Sequence, residues 1–193
     1  MADPRRPSAE EVRALVQRIV DQTLEGSTEA APAADGRTVV AIAGDHGGWR
    51  LKDAIGRWLE EHGYVVRDCG THSDEAVDYP DLALAVARLV ADGTACCGIV
   101  VDGAGIGSAM AANKVPGVRA ANCHDISSAR NSREHNYANV LTLGSGFLGQ
   151  PLALQIVETW LDTEWGAERH GRRVEKISAI ERSYTGVTGG KDR

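Results

Sequence analysis

GIVVDGAGIGSAMAANKVPGVRAANCHD, residues 98–125, reads as a buried strand, a glycine-rich turn, a helix and a second strand. The apolar run 98–101 is short and rich in β-branched residues, and Asp102 stands where it ends. Gly103, Gly105 and Gly107 follow at alternate positions, so the backbone can turn tightly and come close to a ligand. A helix that starts at such a turn aims free N–H groups outward, which suits a phosphate or a developing oxyanion. A carboxylate beside an anion-binding turn is the equipment for proton abstraction next to a carbonyl. In the alternative, Asp102 is a structural cap for the turn.

The alternation extends in both directions. TVVAIA at 38–43 is a buried strand and GDHGG at 44–48 a loop. A helix over 49–61 carries Leu51, Ala54, Ile55, Trp58 and Leu59 on one face, and Gly63 follows as its stop. A strand at 64–68, a helix at 79–92, the strand 98–101 and a helix at 105–113 come next. They are followed by a strand at 118–122, a helix at 126–136, a strand at 140–143 and a helix at 151–162 that opens on Pro151. Strands and helices joined by short connections predict an α/β fold, a parallel sheet covered on both faces as a three-layer sandwich. Ligands in such sheets bind at the carboxyl ends of the strands, and Asp45, His46 and Asp102 each fall on that edge. The tail, 163–193, is basic around RHGRR and then sets Val174, Ile177 and Ile180 on one helical stripe suited to a partner subunit.

With 193 residues the chain has room for one sizeable core and an appendage. A net charge of −6, without a basic stripe, argues against nucleic acid. No apolar run approaches the roughly 20 residues that span a bilayer, and the N-terminus lacks the apolar core of a signal peptide. Cys69, Cys96, Cys97 and Cys123 match no zinc spacing and read as small buried hydrophobes of a reducing cytoplasm.

Residues 1–25 differ from the rest. Ser8 and Glu11 form a capping box, and Val12, Leu15, Val16, Ile19, Val20 and Leu24 make an amphipathic stripe. GSTEAAPAADG, residues 26–36, has the composition of a flexible linker, so the core domain is read as 37–193. A helix this short cannot bury its stripe alone. It either folds back, pairs in an oligomer, or docks into another protein's groove.

Several motifs occur in one register: GDHGGWRLK at 44–52, VDYPD at 77–81, the glycine turn with AANKVPGVRA ending at 120, SREHNYANVL at 132–141, and RHGRRVEKISAIE at 169–181. Together they resemble the sugar-phosphate isomerase family that includes type B ribose-5-phosphate isomerase and the galactose-6-phosphate isomerase subunits. The resemblance covers about residues 38–183 and excludes the N-terminal helix and linker. It implies a Rossmann-like five-stranded parallel sheet and interconversion of aldose and ketose phosphates without metal or organic cofactor. It also implies active sites between subunits of a homodimer or tetramer. Asp45 and His135 would open the sugar ring, and Asp102 would move the C2 proton through a cis-enediolate. His46, Arg169 and Arg173 would hold substrate and phosphate, with the arginines coming from the neighbouring chain. Tyr79 would line the pocket, Asn136 would contact sugar hydroxyls, and the amides of Gly103, Gly105 and Gly107 would stabilise the oxyanion. Arginines four apart share a helix face and can grip one phosphate.

The chain departs from the family's pattern at four positions. Asp102 stands where type B enzymes commonly carry a cysteine base, and Ala104 where they carry threonine or serine. Ser108 stands where some members place a glutamate base, and Phe147 where a phosphate-binding arginine is expected. Loss of a hydroxyl donor at 104 predicts turnover slower by on the order of 10²-fold than in a cysteine-based relative. Ribose 5-phosphate is the expected substrate; another sugar phosphate, or a non-catalytic binding or assembly role, are the alternatives. His62, His72, His124 and His170 read as surface or capping residues. The N-terminal segment resembles encapsulation peptides of bacterial microcompartment cargo. That resemblance implies a shell or fellow cargo protein as partner for residues 8–25, and a microcompartment within the cytoplasm as location.

Overall fold

The structure is a computed structural model that describes residues 36–185. The predicted helix within 1–25 and the linker up to residue 35 lie outside the described residues. Five strands form one sheet: β1 (Val39–Gly44), β2 (Val65–Asp68), β3 (Cys97–Asp102), β4 (Ala120–Asn122) and β5 (Val140–Gly144). Every pairing is parallel and the spatial order is β2-β1-β3-β5-β4. β1, β3 and β5 are buried along their whole length, because a central parallel strand is covered on both faces. That is why their sequences are continuous apolar runs.

The described residues form six helices, five of which flank the sheet. The six are α1 (Trp49–Glu61), α2 (Tyr79–Ala91), α3 (Ile106–Ala112), α4 (Ile126–Asn136), α5 (Gln150–Asp162) and α6 (Glu168–Thr185). Side chains alternate along each strand and feed two cores. Val40, Ile42, Ile99, Val101, Leu141 and Leu143 pack with Leu51, Ile55 and Leu59 of α1 and Ile156, Val157 and Trp160 of α5. Val39, Ala41, Ala43, Val100 and Val140 pack with Ala83, Val86 and Ala87 of α2 and Ala112 of α3. The result is the three-layer arrangement expected from the sequence. α6 lies outside these layers, against α4. No helix among the described residues is long and apolar enough to cross a membrane.

The chain leaves β1 toward β2 on one side and returns to β3 on the other. The connections therefore diverge between β1 and β3, and a crevice opens there at the carboxyl ends of the strands. The loop after β1 is seated against β3: a Cβ on Gly48 would collide with the Val101 carbonyl oxygen, so only glycine fits. Lys52, one turn into α1, anchors the same loop from below. Its side chain is fully buried, and its Nζ lies 2.5 Å from Asp68 Oδ2, 2.9 Å from Asp53 Oδ1 and 3.2 Å from His72 Nδ1. Replacing Lys52 by Met should leave these carboxylates uncompensated beside the core and cost about 3 kcal/mol. A melting temperature lower by about 6–10 °C in a thermal melt would be the sign.

Candidate active site

Seven of the eleven predicted residues meet at the crevice: Asp45, His46, Tyr79, Asp102, Gly103, Gly105 and Gly107. Asp45 is the first residue past β1 and is buried. Its Oδ1 accepts from the amides of Gly47 (2.9 Å) and Gly48 (2.8 Å), which leaves Oδ2 outside these bonds. His46 beside it is exposed, and its Nδ1 accepts from the Val77 amide at 3.4 Å. Tyr79 opens α2 and is 40% exposed, with its ring against Gly107, where a Cβ would strike it.

Asp102 ends β3 and is 4% exposed. Its Oδ1 accepts from the amides of Ala104 (2.7 Å) and Gly105, and its Oδ2 from the Ser108 amide (3.2 Å) and the Ser108 hydroxyl. A carboxylate offers about four lone-pair sites, and four donors face them. Asp102 therefore clasps the turn. The amides of Ala104 and Gly105 point inward at Asp102, so the donors not turned onto it are those of Gly103, Ile106 and Gly107. Gly105 adopts φ +76° and is hemmed in by Leu143 and Asn122, while Gly103 has open space around it. Ser145, after β5, ties the two loops together: its Oγ lies 2.8 Å from the Gly47 carbonyl oxygen and 3.0 Å from that of Asp102, and its one hydrogen serves either. Sequence reasoning passed over Ser145, whose signal is its place after the fifth strand. Phe147, two residues on, is 64% exposed and edge-on to His124 at 5.5 Å.

The other four, His135, Asn136, Arg169 and Arg173, lie at the opposite edge of the sheet. His135 and Asn136 close α4, Tyr137 turns the chain at φ 53°, and β5 begins three residues later. Register puts Val140 beside Gly98 and Gly144 beside Asp102. His135 thus sits near the start of β5 and Asp102 at the end of β3, about 13 Å apart along the strands alone. Arg169 and Arg173 belong to this second group, exposed on α6. α6 is held to α4 by Tyr137, whose hydroxyl donates to the Gly166 carbonyl (2.8 Å) and whose ring stacks on Trp165 at 4.9 Å. The rings of His135 and His170 stack at 4.3 Å. His170 is buried, contrary to the expected surface or capping role. Its place between Arg169 and Arg173, the pair expected to hold phosphate, is the signal that could have marked it.

Among the described residues, Asp53, Asp68 and His72 form the one group with metal-ligand spacing. Lys52 Nζ already sits within hydrogen-bond distance of all three, so the positive charge this cluster holds is the lysine's. Burial first, and then the charge of Asp68, push the Cys69 thiol up to about 11.

The assembled features have counterparts in known proteins. Residues 40–177 match the family model described as Ribose/Galactose Isomerase. Ribose-5-phosphate isomerase B of Escherichia coli is 46% identical over 142 residues, covering 74% of this chain and 95% of that protein. D-erythrulose-4-phosphate isomerase of Pectobacterium atrosepticum is 39% identical over 143 residues, 74% of this chain and 94% of its own length. The structure of Clostridium thermocellum ribose-5-phosphate isomerase B superposes with a TM-score of 0.75 at 51% identity, over 76% of this chain and 99% of that one. The parallel sheet, the loop pair at its switch point and the length of sequence shared with these enzymes agree, and the chain belongs to the Ribose/Galactose Isomerase family.

Proposed function

We propose that this chain is an aldose–ketose isomerase that interconverts ribose 5-phosphate and ribulose 5-phosphate, in sites each completed by a second copy of the chain. The observation that carries this reading is the division of the chemistry between two edges of the sheet. Asp45, Asp102 and the turn amides stand at one edge; His135, Arg169 and Arg173 stand at the other. A single chain leaves them apart, and a homodimer related by a two-fold axis brings each half against the other's complement twice.

The partner's arginines grip the phosphate, and Asn136 meets sugar hydroxyls. His135 and the unengaged Oδ2 of Asp45 transfer the protons that open the ring. Asp102 then takes the C2 proton, and the amides of Gly103, Ile106 and Gly107 stabilise the cis-enediolate before the proton returns to C1. For this the Ser108 hydroxyl rotates away from Oδ2, since it is the one donor on Asp102 that is not fixed backbone. His46 and Tyr79 border the crevice. Purified protein should convert ribose 5-phosphate to ribulose 5-phosphate without added metal. No conversion of any phosphorylated aldose or ketose in a panel would leave a binding or assembly role instead.

A retuned substrate is the second reading, supported by Phe147. The exposed side chains of Phe147, Ile106 and Met110 give this edge an apolar rim. A four-carbon sugar phosphate turned over faster than ribose 5-phosphate in the panel would select it. For residues 8–25 we propose docking to a microcompartment shell or cargo protein, on the strength of the amphipathic stripe and linker. Deleting residues 1–25 should abolish particle loading on co-expression with shell proteins and leave isomerase activity intact. Unchanged loading would overturn it.

A further inference from the structure

The ring of His170 is 5% exposed, although Arg169 and Arg173 around it are exposed. Arg169 Nε donates to His170 Nε2 at 3.2 Å. A guanidinium has only donors, so Nε2 must be unprotonated and the neutral ring carries its hydrogen on Nδ1. Nδ1 is buried and has no hydrogen-bond partner among the described residues. The bond uses the Nε–H of Arg169 and leaves both terminal amino groups of the guanidinium for an anion, the face that grips phosphate in a bidentate way.

A face of the same ring covers His135, with 12° between the planes. His135 is fixed from a second side. Its Nδ1 accepts from Asn131 Nδ2 at 2.9 Å, and the Asn131 amide is oriented by Asn136 Nδ2, which donates to its Oδ1 at 3.5 Å. His135 therefore carries its hydrogen on Nε2, 3.4 Å from Glu134 Oε1. One ring thus touches both the anion grip and the proton donor.

We propose that His170 is a positioning residue that locks Arg169 by an accepted hydrogen bond and His135 by stacking, so that both reach the partner's half-site as one rigid unit. This rests on the isomerase reading above. Neutrality is built into the device. A second proton would end the bond from Arg169 and add a cation beside Arg169 and Arg173 of α6, on a ring packed against His135 of α4 and near Glu134. Burial, the largest cause, holds the imidazole below its ordinary range, in agreement with the geometry.

Two substitutions in the full chain separate the two contacts. His170→Phe keeps a flat ring and removes the acceptor; KM for ribose 5-phosphate should rise about tenfold with kcat within about twofold. His170→Gln keeps an acceptor and removes the ring; kcat should fall about tenfold with KM little changed. A packing role alone predicts lower melting temperatures with both kinetic parameters unmoved, or moved together, and that result overturns the proposal. Nitrogen-detected NMR of the wild type needs no variant. It should show His170 at neutral pH with a bare Nε2 and hydrogen on Nδ1, and the other tautomer or a protonated ring would overturn the proposal even if neither variant folds. The isomerase reading fails separately, through an inactive wild type. In that case inorganic phosphate is the probe, and His170→Phe should bind it about tenfold more weakly than wild type while His170→Gln matches wild type. Equal binding by all three proteins sinks the proposal.

Discussion

Substituting Asn for Asp102 should lower kcat by about 10²–10³-fold, the usual worth of a positioned general base. Wash-out of the substrate's C2 hydrogen into deuterated water should slow by the same factor, because that exchange reads the deprotonation step alone. Asparagine also disturbs the clasp. One of its two terminal atoms is a donor, and it would face the Ala104 and Gly105 amides or the amide and hydroxyl of Ser108. A loss of about 1–3 kcal/mol in equilibrium unfolding should accompany the kinetic effect.

The two roles of Asp102 separate at Ser108. Ser108→Ala removes the hydroxyl donor and frees a lone pair of Oδ2 while the three amide bonds persist. If Asp102 is the base, that variant keeps or raises kcat and loses only about 1 kcal/mol of stability. If Asp102 serves only as the clasp, Asp102→Asn changes the unfolding curve and leaves C2 exchange intact. Asp102→Cys extends the test, since a thiolate is an effective base nearer the working pH. Its kcat should climb with pH through thiol ionisation.

The layers of the fold were legible because a parallel sheet buried on both faces writes itself as apolar runs such as TVVAIA and VLTL. The ends were less so. The strand expected from residue 118 begins at Ala120, because the Arg119 amide is taken by Asn139 Oδ1 and not by the ladder. The helix expected from residue 105 begins one residue later, since Gly105 is left-handed. Candidate site residues were readable as types at strand and helix ends. Their grouping was not, because spacing along the chain says nothing about which end of the sheet a helix terminus reaches until the strand order is known. That α4 delivers His135 to the edge away from Asp102 follows from β5 pairing β3 in parallel register. The inward turn of the Asp102 carboxylate and the burial of His170 are likewise tertiary facts. Both depend on what lies across the contact, Ser108 in one case and α4 in the other.

Two inactive variants should restore each other. Asp45→Asn disables the edge at the carboxyl ends of the strands and keeps the loop, because an Asn Oδ1 can still accept from Gly47 and Gly48. His135→Gln disables the opposite edge. Each alone should fall by about 10²–10⁴-fold as an acid–base group is lost. In a dimer with sites built across the two-fold axis, a mixed pair holds one site with both defects and one with neither. Random pairing at equal amounts makes about half of the dimers mixed, so the mixture should recover about one quarter of wild-type activity. A site contained within one chain gives no such gain, because every site then carries a defect and the mixture stays at the average of its parents. The recovered fraction is insensitive to the absolute rate of the wild type. It therefore tests the division between edges independently of how good a base Asp102 is, and a second-order dependence of recovery on protein concentration during remixing would tie it to subunit exchange.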